Sequence, residues 1–241
     1  MEKQSKRIKN EIRHFNDLEH IWWGAKTTAG QRRYDNKFIL FKSLCRPSKN
    51  KKILEIGCGD GEFTKRLAKL NCKIFASDIT PKVIEKAKKE VKHKKIKFLI
   101  DNAESMKFKD QTFDIVCGIS VLHHINIEKA FKESFRVLKN GGQIFFTEPN
   151  LLNPHIFLGL HIPLLRKRME FSDDETALMR WQVESSLEKV GFRNVLVKNY
   201  DFLHPKTPKS WIKIVENISL ILEHTPIIRE ISGSLLIWAK K

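Results

Sequence analysis

The sequence predicts an α/β protein with a parallel sheet that helices cover on both faces. From about residue 52 onward, short apolar runs alternate with helical stretches, as expected of strands that are buried on both sides. The 241 residues are enough for one such domain and few for two. With 41% hydrophobic and 30% charged residues, the composition is typical of a soluble globular protein.

The elements of this core can be placed in order. Apolar runs predict strands at 53–57, 73–77, 96–100, 113–119 and 143–147. Helical periodicity predicts helices at 61–70, 81–91 and 127–138, and the turn Asn140-Gly141-Gly142 stops the last of them. The remaining segments are a mainly helical stretch before residue 49, insertions at about 149–172 and 200–232, a helix at 173–190, and strands at 195–197 and 234–239.

A glycine-rich turn, within ILEIGCGDGEFT at 53–64, joins the first predicted strand to a helix. Glycines let the backbone bend sharply and let a ligand approach closely. A dinucleotide loop would need a third glycine at position 62, where Glu62 would oppose a pyrophosphate at the helix N-terminus. No Gly-Lys-Ser or Gly-Lys-Thr follows, which excludes a P-loop. The loop therefore predicts a ligand that carries no phosphate at this point.

Asp78 supplies the second half of this interpretation. It ends the second strand, 21 positions after Gly57, which is about the distance at which an acid reaches ribose hydroxyls. A sugar-binding acid without a phosphate site suits a nucleoside ligand, and S-adenosylmethionine is the common cofactor of that kind. The alternative is that Asp78 caps the helix that begins near Thr80 and Pro81.

Four ordered segments resemble the class I methyltransferase family, in particular its type 11 branch. They are ILEIGCGDGEFT (53–64), SDIT (77–80), DNAESMKF followed by QTFDIVCGISVLHHI (101–125), and LKNGGQIFFTEPN (138–150), and the match covers about residues 50 to 148. The resemblance implies an S-adenosylmethionine-dependent enzyme. It also implies a Rossmann-like, seven-stranded, mostly parallel sheet whose last strand is antiparallel beside the fifth. An N-terminal helical lid at 1–48 would precede the methyltransferase domain at 49–241.

The resemblance also implies the cofactor-binding residues. Those that would hold the methionine moiety are Glu55, Gly57, Cys58, Gly59 and Gly61, with Ile119 and Ser120 beside its end; those that would hold adenosine are Asp78, Ile79, Asn102 and Ala103. Asn102 stands where the family usually has aspartate, and Asp101 is the candidate to supply the missing carboxylate. An N-terminal lid would bring Gln31, Arg32 and Arg33 to the cofactor carboxylate; an exposed helix start is the alternative for the two arginines.

His123 and His124 are the candidate catalytic residues. They follow the fourth strand at the carboxyl edge of the sheet, where ligands of α/β proteins bind. Either could be the general base that a hydroxyl acceptor gains from. The resembling family has this His-His pair with varied substrates, which favours a structural or cofactor-shaping role. Further candidates are Glu148, His155 and His161.

The formal charge of +17 favours acidic partners. Its densest stretch, 82–97, lies on a predicted helix and the loop that follows it, where a solvated helix face is the alternative, and it lacks the interleaved aromatic residues of a nucleic-acid platform. The segment 151–168 is apolar and ends in Arg166-Lys167-Arg168, which suits an anionic membrane or a lipid-like substrate. The alternative is a lid that packs over the active site.

These observations predict a methyltransferase that acts on an oxygen of a small molecule, with lipid-linked and sugar hydroxyls as candidates. The alternatives are RNA methylation, for which the chain has no Asn-Pro-Pro-Tyr-type motif, and an inactive cofactor-binding partner subunit. No metal is expected, since the four cysteines form no Cys-x-x-Cys pair and no ligand cluster is evident. A charged N-terminus without an apolar core predicts a cytoplasmic protein, with peripheral contact at the inner face of the membrane.

Overall fold

A seven-stranded sheet forms the centre of the computed structural model, which describes residues 2–17, 24–172 and 174–241. The strands are β1 (Lys52–Ile56), β2 (Lys73–Asp78), β3 (Ile96–Ile100), β4 (Phe113–Ile119), β5 (Leu138–Pro149), β6 (Arg193–Tyr200) and β7 (Ser234–Lys240). Their order is β3-β2-β1-β4-β5-β7-β6. β1 to β5 run parallel, whereas β7 is antiparallel to both of its neighbours. The predicted fold class is confirmed, including the antiparallel last strand beside the fifth.

The helices connect these strands and cover both faces. In the described residues they are α1 (Glu2–Asp17), α2 (Thr28–Cys45), α3 (Glu62–Leu67), α4 (Pro81–Glu90), α5 (Ile127–Val137), α6 (Pro154–His161), α7 (Pro163–Arg168), α8 (Arg180–Val190) and α9 (Ile212–His224). Short 3-10 helices lie at Leu122–His124, Lys209–Trp211 and Ile228–Ile231. No helix within the described ranges is both long and apolar enough to cross a bilayer.

The core has one layer on each face of the sheet. Leu54 of β1 is fully buried in a cluster with Phe131 of α5, and its neighbour Ile53 points to the other face, where it packs with Phe41 of α2 and Phe63 of α3. Because successive side chains of a strand point to opposite faces, β1 contributes to the core layer on each face of the sheet. Burying each of these side chains contributes about 1.5–3 kcal/mol, and the two layers fix the carboxyl ends of the strands.

The predicted helix at 173–190 is wrong in its first part, because α8 begins at Arg180; Asp173 itself lies outside the described residues. The preceding segment is held in an extended form by tertiary contacts. The backbone N–H and the hydroxyl of Thr176 both donate to the carbonyl of His123, at 3.2 and 3.0 Å, and the N–H of Leu178 donates to Pro149 at 3.2 Å. These bonds outweigh the local helical pattern and bring the segment to the edge of the sheet.

Other element boundaries also differ from the prediction, among them the end of α3 and the start of β5. The helix expected at 61–70 ends at Leu67, after which the chain continues as a turn. β5 begins at Leu138 instead of residue 143 because Leu138 already pairs with Phe113 of β4. The first 48 residues contain α1 and α2, as the helical pattern predicts. The lid function assigned to them stays a prediction.

Candidate active site

Backbone geometry makes the turn after β1 into a cradle. Gly57, Gly59 and Gly61 have φ of +62°, +55° and +89°, a region in which side chains are strained. At Gly57 a Cβ would also lie 2.3 Å from Cγ2 of Val121, in the loop after β4. The turn is fixed by the N–H of Cys58, which donates to Ser77 of β2 at 2.9 Å. Glycine at position 57 therefore lets two strand ends approach each other.

Asp78 ties this turn to the next helix. One carboxylate oxygen accepts the N–H of Gly59 at 3.1 Å, and the other accepts the N–H of Thr80 at 2.9 Å. The alternative of an aspartate that caps a helix start is thus realised in part, since Thr80 is the N-cap of α4. Burial raises the pKa of Asp78, although both backbone bonds oppose the rise. The residue also lines a cavity, so both interpretations of its role have structural support.

A cavity of about 70 Å³ lies between the ends of β1, β2, β3 and β4 and the helix α1. Six of the predicted cofactor-binding residues line it: Gly57, Asp78, Ile79, Asn102, Ala103 and Ser120. Arg7, Ile8 and Glu11 of α1 line its other side. We call it the small cavity. Apolar walls beside a carboxylate suit an adenine ring and a ribose.

The pair Asp101 and Asn102 is already engaged by its own loop. The side-chain oxygen of Asn102 accepts the N–H of Glu104 at 2.9 Å. Both carboxylate oxygens of Asp101 lie 3.3 Å from the N–H of Lys107. Both residues line the small cavity, but these bonds direct the Asp101 carboxylate toward the loop. The suggestion that it replaces the family's aspartate stays a prediction.

Four predicted cofactor-binding residues, Glu55, Cys58, Gly59 and Gly61, line neither of the two main cavities. Glu55 is buried under the turn, where the hydroxyl of Thr64 in α3 donates to it at 2.6 Å. Burial raises the pKa of Glu55 to about 8. Its placement is that of a group that supports the turn from below, and its predicted role toward the methionine moiety stays a prediction.

A second, larger cavity of about 760 Å³ adjoins the first. Phe15, Ser120 and His124 line both cavities, and Ile119 lines the larger one. Ser120 has φ of +54° and donates its N–H to Thr147 of β5 at 2.8 Å. The point where the two cavities meet therefore lies at the end of β4. A group transferred between a ligand in each cavity would cross there.

His123 is held by two carboxylates. Its Nδ1 lies 2.7 Å from Glu148, and its Nε2 lies 3.6 Å from Glu175. Glu148 also accepts the N–H groups of Val121 and Leu122, each at 3.0 Å. Burial opposes protonation of His123, but Glu148 and then Glu175 outweigh it and raise its pKa to about 9. An imidazole that is protonated at neutral pH is a poor general base, so this arrangement favours the positioning role.

His124 has the opposite character. Burial and the neighbouring His123 lower its pKa, and it lines both cavities. Its Nδ1 lies 3.3 Å from Glu11 of α1. The candidate base role is therefore compatible with His124. Its ring, that of His123 and the Glu175 carboxylate also place ligand atoms within 4.8 Å of one another, close enough to hold a metal ion, so the expectation of no metal stays a prediction.

The structure places Gln31, Arg32 and Arg33 in three different environments. Arg32 is directed outward and pairs with Glu216 at 2.7 Å, as in the alternative of an exposed helix start. The side-chain amide of Gln31 donates to Glu62 at 2.9 Å. Arg33 alone among the three lines the larger cavity, where it pairs with Asp201 at 2.6 Å.

Lys37 lines the larger cavity and is not among the residues predicted from the sequence. Lys37 lies one helical turn after Arg33 on α2, and only 6% of it is exposed. Burial and the charge of Arg33 lower its pKa to about 7. The spacing of four residues was the available signal, but it became informative only once Arg33 was seen to face the cavity.

Both insertions form walls of the larger cavity. His155, Ile156 and Leu160 come from the first, and Leu203 and His204 come from the second. The rings of His155 and His204 meet edge to face at 5.3 Å. His161 does not line the cavity; its Nδ1 lies 2.8 Å from the carbonyl of Phe157 in its own helix.

Known proteins share this fold and these motifs. The sequence model of the family described as "Methyltransferase domain" matches residues 54–146. A ubiquinone biosynthesis O-methyltransferase of Pelagibacter ubique is 29% identical over 62% of this chain and 68% of its own. An uncharacterised protein of Methanocaldococcus jannaschii, MJ1123, is 32% identical over 67% of this chain and 76% of its own. The matches extend beyond the motifs themselves.

A solved structure from Thermotoga maritima, described as a SAM-dependent methyltransferase and possible histamine N-methyltransferase, has the same fold. It superposes with a TM-score of 0.68 at 20% identity and covers 98% of this chain and 99% of its own. The fold and these matches define an S-adenosylmethionine-dependent methyltransferase. The chain belongs to the class I family of these enzymes. Its cofactor is S-adenosylmethionine, which supplies the methyl group that is transferred.

Proposed function

We propose that this enzyme methylates an oxygen of an amphipathic, lipid-like small molecule, which it takes from an anionic membrane surface on the cytoplasmic side. One observation carries the proposal: the two insertions that wall the larger cavity expose apolar side chains on their outer faces. The relative from Pelagibacter ubique, named for ubiquinone biosynthesis, supports an O-methylated small molecule.

The first insertion, 149–172, has apolar side chains that line the cavity and others that are exposed. Ile156 and Leu160 of α6 line the cavity, whereas Phe157 and Leu158 of the same helix are about half exposed, at 46% and 45%. Leu164 of α7 is 77% exposed. The lid and membrane interpretations of this segment are therefore compatible, because α6 lines the cavity with some of its apolar side chains and exposes others.

The second insertion adds an apolar stripe. Trp211, Ile214, Ile218 and Ile221 are all exposed, and their spacing of three, four and three residues places them along one face of α9 and of the 3-10 turn that leads into it. Ile227 follows with 83% of its surface exposed. Exposed apolar side chains along one helix face, in an insertion that also walls a cavity, are typical of an interaction surface.

Charge selects an anionic membrane as the partner of this surface. Lys167 and Arg168 at the end of α7 are exposed, as are Lys209 and Lys213 beside the stripe. Arg166 is different, because its guanidinium donates to the carbonyls of Leu160, Ser172 and Glu175. Each exposed basic side chain near an anionic bilayer contributes about 1 kcal/mol of attraction.

The chemistry needs an acceptor oxygen placed in line with the sulfonium. When bound, S-adenosylmethionine would supply the methyl group from its sulfur to the acceptor oxygen, and the hydroxyl would have to give up its proton. His124 is the candidate to accept that proton, since it lines both cavities and its pKa is lowered. Positioning of the two reactants supplies most of the acceleration in such a transfer.

Transfer of a labelled methyl group tests the proposal. Purified enzyme would be incubated with methyl-tritiated S-adenosylmethionine and either an organic-solvent extract of the source cells or their tRNA. We expect label in the organic phase, with Gly59→Asp as an inactive control because the side chain would disturb the turn at φ +55°. Label in tRNA would favour the RNA alternative that the charge of +17 suggests. Label in neither fraction would favour an inactive partner subunit.

A further inference from the structure

Lys37 is a buried amino group without a counter-ion. Among the residues that the structure describes, no carboxylate lies within ion-pair distance of its Nζ and no hydrogen-bond acceptor is in place. Its recorded contact is with the ring of Tyr34, whose centroid lies 5.2 Å from Nζ. Arg33, one turn earlier, is by contrast satisfied by Asp201 and by the hydroxyl of Ser234.

An unpaired charge in this place is expensive. Removing an ammonium group from water without a partner costs several kcal/mol, and a protein normally avoids that cost by pairing, by solvent access or by loss of the proton, which agrees with the lowered pKa of Lys37. Lys37 lines the larger cavity, so its side chain has access to whatever fills that space. A ligand with a negative charge would supply the missing partner.

The surroundings of Lys37 indicate whether that ligand is the cofactor or the methyl acceptor. The charged groups that act on it are Arg33, Asp201 and Glu148. Asp201 follows β6 and Glu148 ends β5, in the half of the sheet away from Asp78. The carboxylates that act on Tyr34 are instead Asp60, Glu62 and Glu55, which lie in the glycine turn and the two elements that it joins. Lys37 thus faces the acceptor side of the cavity.

We propose that Lys37 binds an ionised oxygen of the methyl acceptor, and that the acceptor is an acid, either a carboxylate or an acidic phenol, and not a protonated amine. This inference rests on the proposed transfer to oxygen in the larger cavity. The ammonium group of Lys37 attracts the anionic oxygen and repels an amine before its methylation. A phenolate held in this way would also need no separate base.

Binding of small aromatic probes tests this assignment. Naphthoate, its neutral amide naphthamide, nitrophenol and the cationic naphthylmethylamine would be titrated by calorimetry into enzyme saturated with S-adenosylhomocysteine at neutral pH. We expect naphthoate or nitrophenol to bind about tenfold or more tightly than the amide, and the amine not to bind. Preference for naphthoate would identify a carboxylate, and preference for nitrophenol an acidic phenol.

Substitutions of Lys37 measure its own contribution to the binding of anions. Lys37→Met should abolish the preference for anions, and Lys37→Arg should retain it. Lys42→Met is the matched control: Lys42 lies on the same helix, also over a ring (Phe38, at 5.1 Å), but is exposed. Replacing an unpaired buried cation by an apolar side chain should not unfold the protein, which the thermal midpoint would verify.

Two results would overturn the assignment. One is wild-type enzyme that binds no anionic probe more tightly than the amide. The other is a Lys37→Met variant that loses affinity for S-adenosylhomocysteine while it keeps the preference for anions, which would give Lys37 to the cofactor carboxylate. Because the probes are soluble and no transfer is required, failure of the membrane or O-methylation proposal would leave this measurement unaffected.

Discussion

Gly57 sits where the turn after β1 meets the loop after β4, and two separate constraints act on it. Its φ of +62° is unfavourable for any residue with a side chain, and a Cβ would overlap Val121. Gly141, within the irregular first part of β5, shares the first constraint with φ of +74° but has no atom within 4 Å of its would-be Cβ. The two glycines therefore separate backbone strain from steric overlap.

We expect Gly57→Ala to lower stability more than Gly141→Ala does. Both should lose about 1 kcal/mol to the left-handed conformation, and overlap with Val121 should add about 1–3 kcal/mol at position 57. For a chain of this size the thermal midpoint should fall by about 3 °C at Gly141 and by on the order of 10 °C at Gly57. Affinity for S-adenosylhomocysteine should fall only at Gly57, and equal losses in both variants would contradict the assigned role of the cradle.

The proton affinities of His123 and His124 could not be predicted from the sequence. The pattern places His123 and His124 side by side after β4, yet their surroundings give them opposite proton affinities. The difference arises from Glu148 and Glu175, which are 25 and 52 positions away from His123 along the chain. No local pattern contains that information, because it depends on strand order and on the extended segment before α8.

At the scale of elements, α6 and α7 show how one apolar sequence can serve two surfaces. The sequence predicts an apolar stretch with a basic end, and it cannot divide the stretch into faces because Pro163 starts a new helix within it. In the structure the basic end is also divided. Arg166 is bound to three carbonyl groups, which leaves Lys167 and Arg168 for an outside partner.

This division sharpens the test of membrane contact. Replacing Lys167 and Arg168 together by alanine should weaken sedimentation with vesicles of mixed phosphatidylcholine and phosphatidylglycerol, by about 2 kcal/mol or roughly thirtyfold at low salt. Ile218→Asp on the exposed face of α9 should weaken vesicle binding as well, because a charge would replace apolar area that enters the membrane. Neither change touches a residue that lines a cavity.

A charge-matched control keeps this prediction specific. Lys88 and Lys89 on α4 are equally exposed, so their replacement by alanine removes the same charge from another surface. We expect nearly unchanged vesicle binding in that variant. Equal weakening in both double variants would mean that net charge alone governs attraction, and the two insertions would then have no special role.

For the molecule as a whole, the strand–helix alternation was sufficient to predict the sheet. β3 and β4 have the predicted bounds to the residue, since buried parallel strands are continuous apolar runs. The antiparallel insertion of β7 was implied by the family resemblance and not by the local pattern. The extended segment before α8 and the unpaired Lys37 were not predicted, because both depend on tertiary contacts between distant parts of the chain.

The N-terminal helix α1 links several of those distant parts around the small cavity. Arg7 bonds to Glu104 and to the carbonyl of His124, and Glu11 accepts the hydroxyl of Ser172 at 2.7 Å. Lys82 of α4 donates to the carbonyl of Asn16 at 2.7 Å. These contacts are polar, and no described side chain of α1 belongs to the apolar core clusters, so α1 can separate from the domain at lower cost than a helix of the apolar core.

Cofactor binding should therefore slow hydrogen exchange in α1. A ligand that α1 covers stabilises the covered state by mass action, by about 2.7 kcal/mol at a hundredfold excess over its dissociation constant, and local opening becomes correspondingly rarer. We expect strong protection by S-adenosylhomocysteine in residues 2–17 and at Leu122–His124, with α9 unchanged as an internal reference. Truncation of the first 17 residues should weaken the affinity and leave the far-UV circular dichroism of the remaining domain native. Protection confined to the glycine turn, with α1 exchanging at its original rate, would show that the N-terminal segment is not a lid.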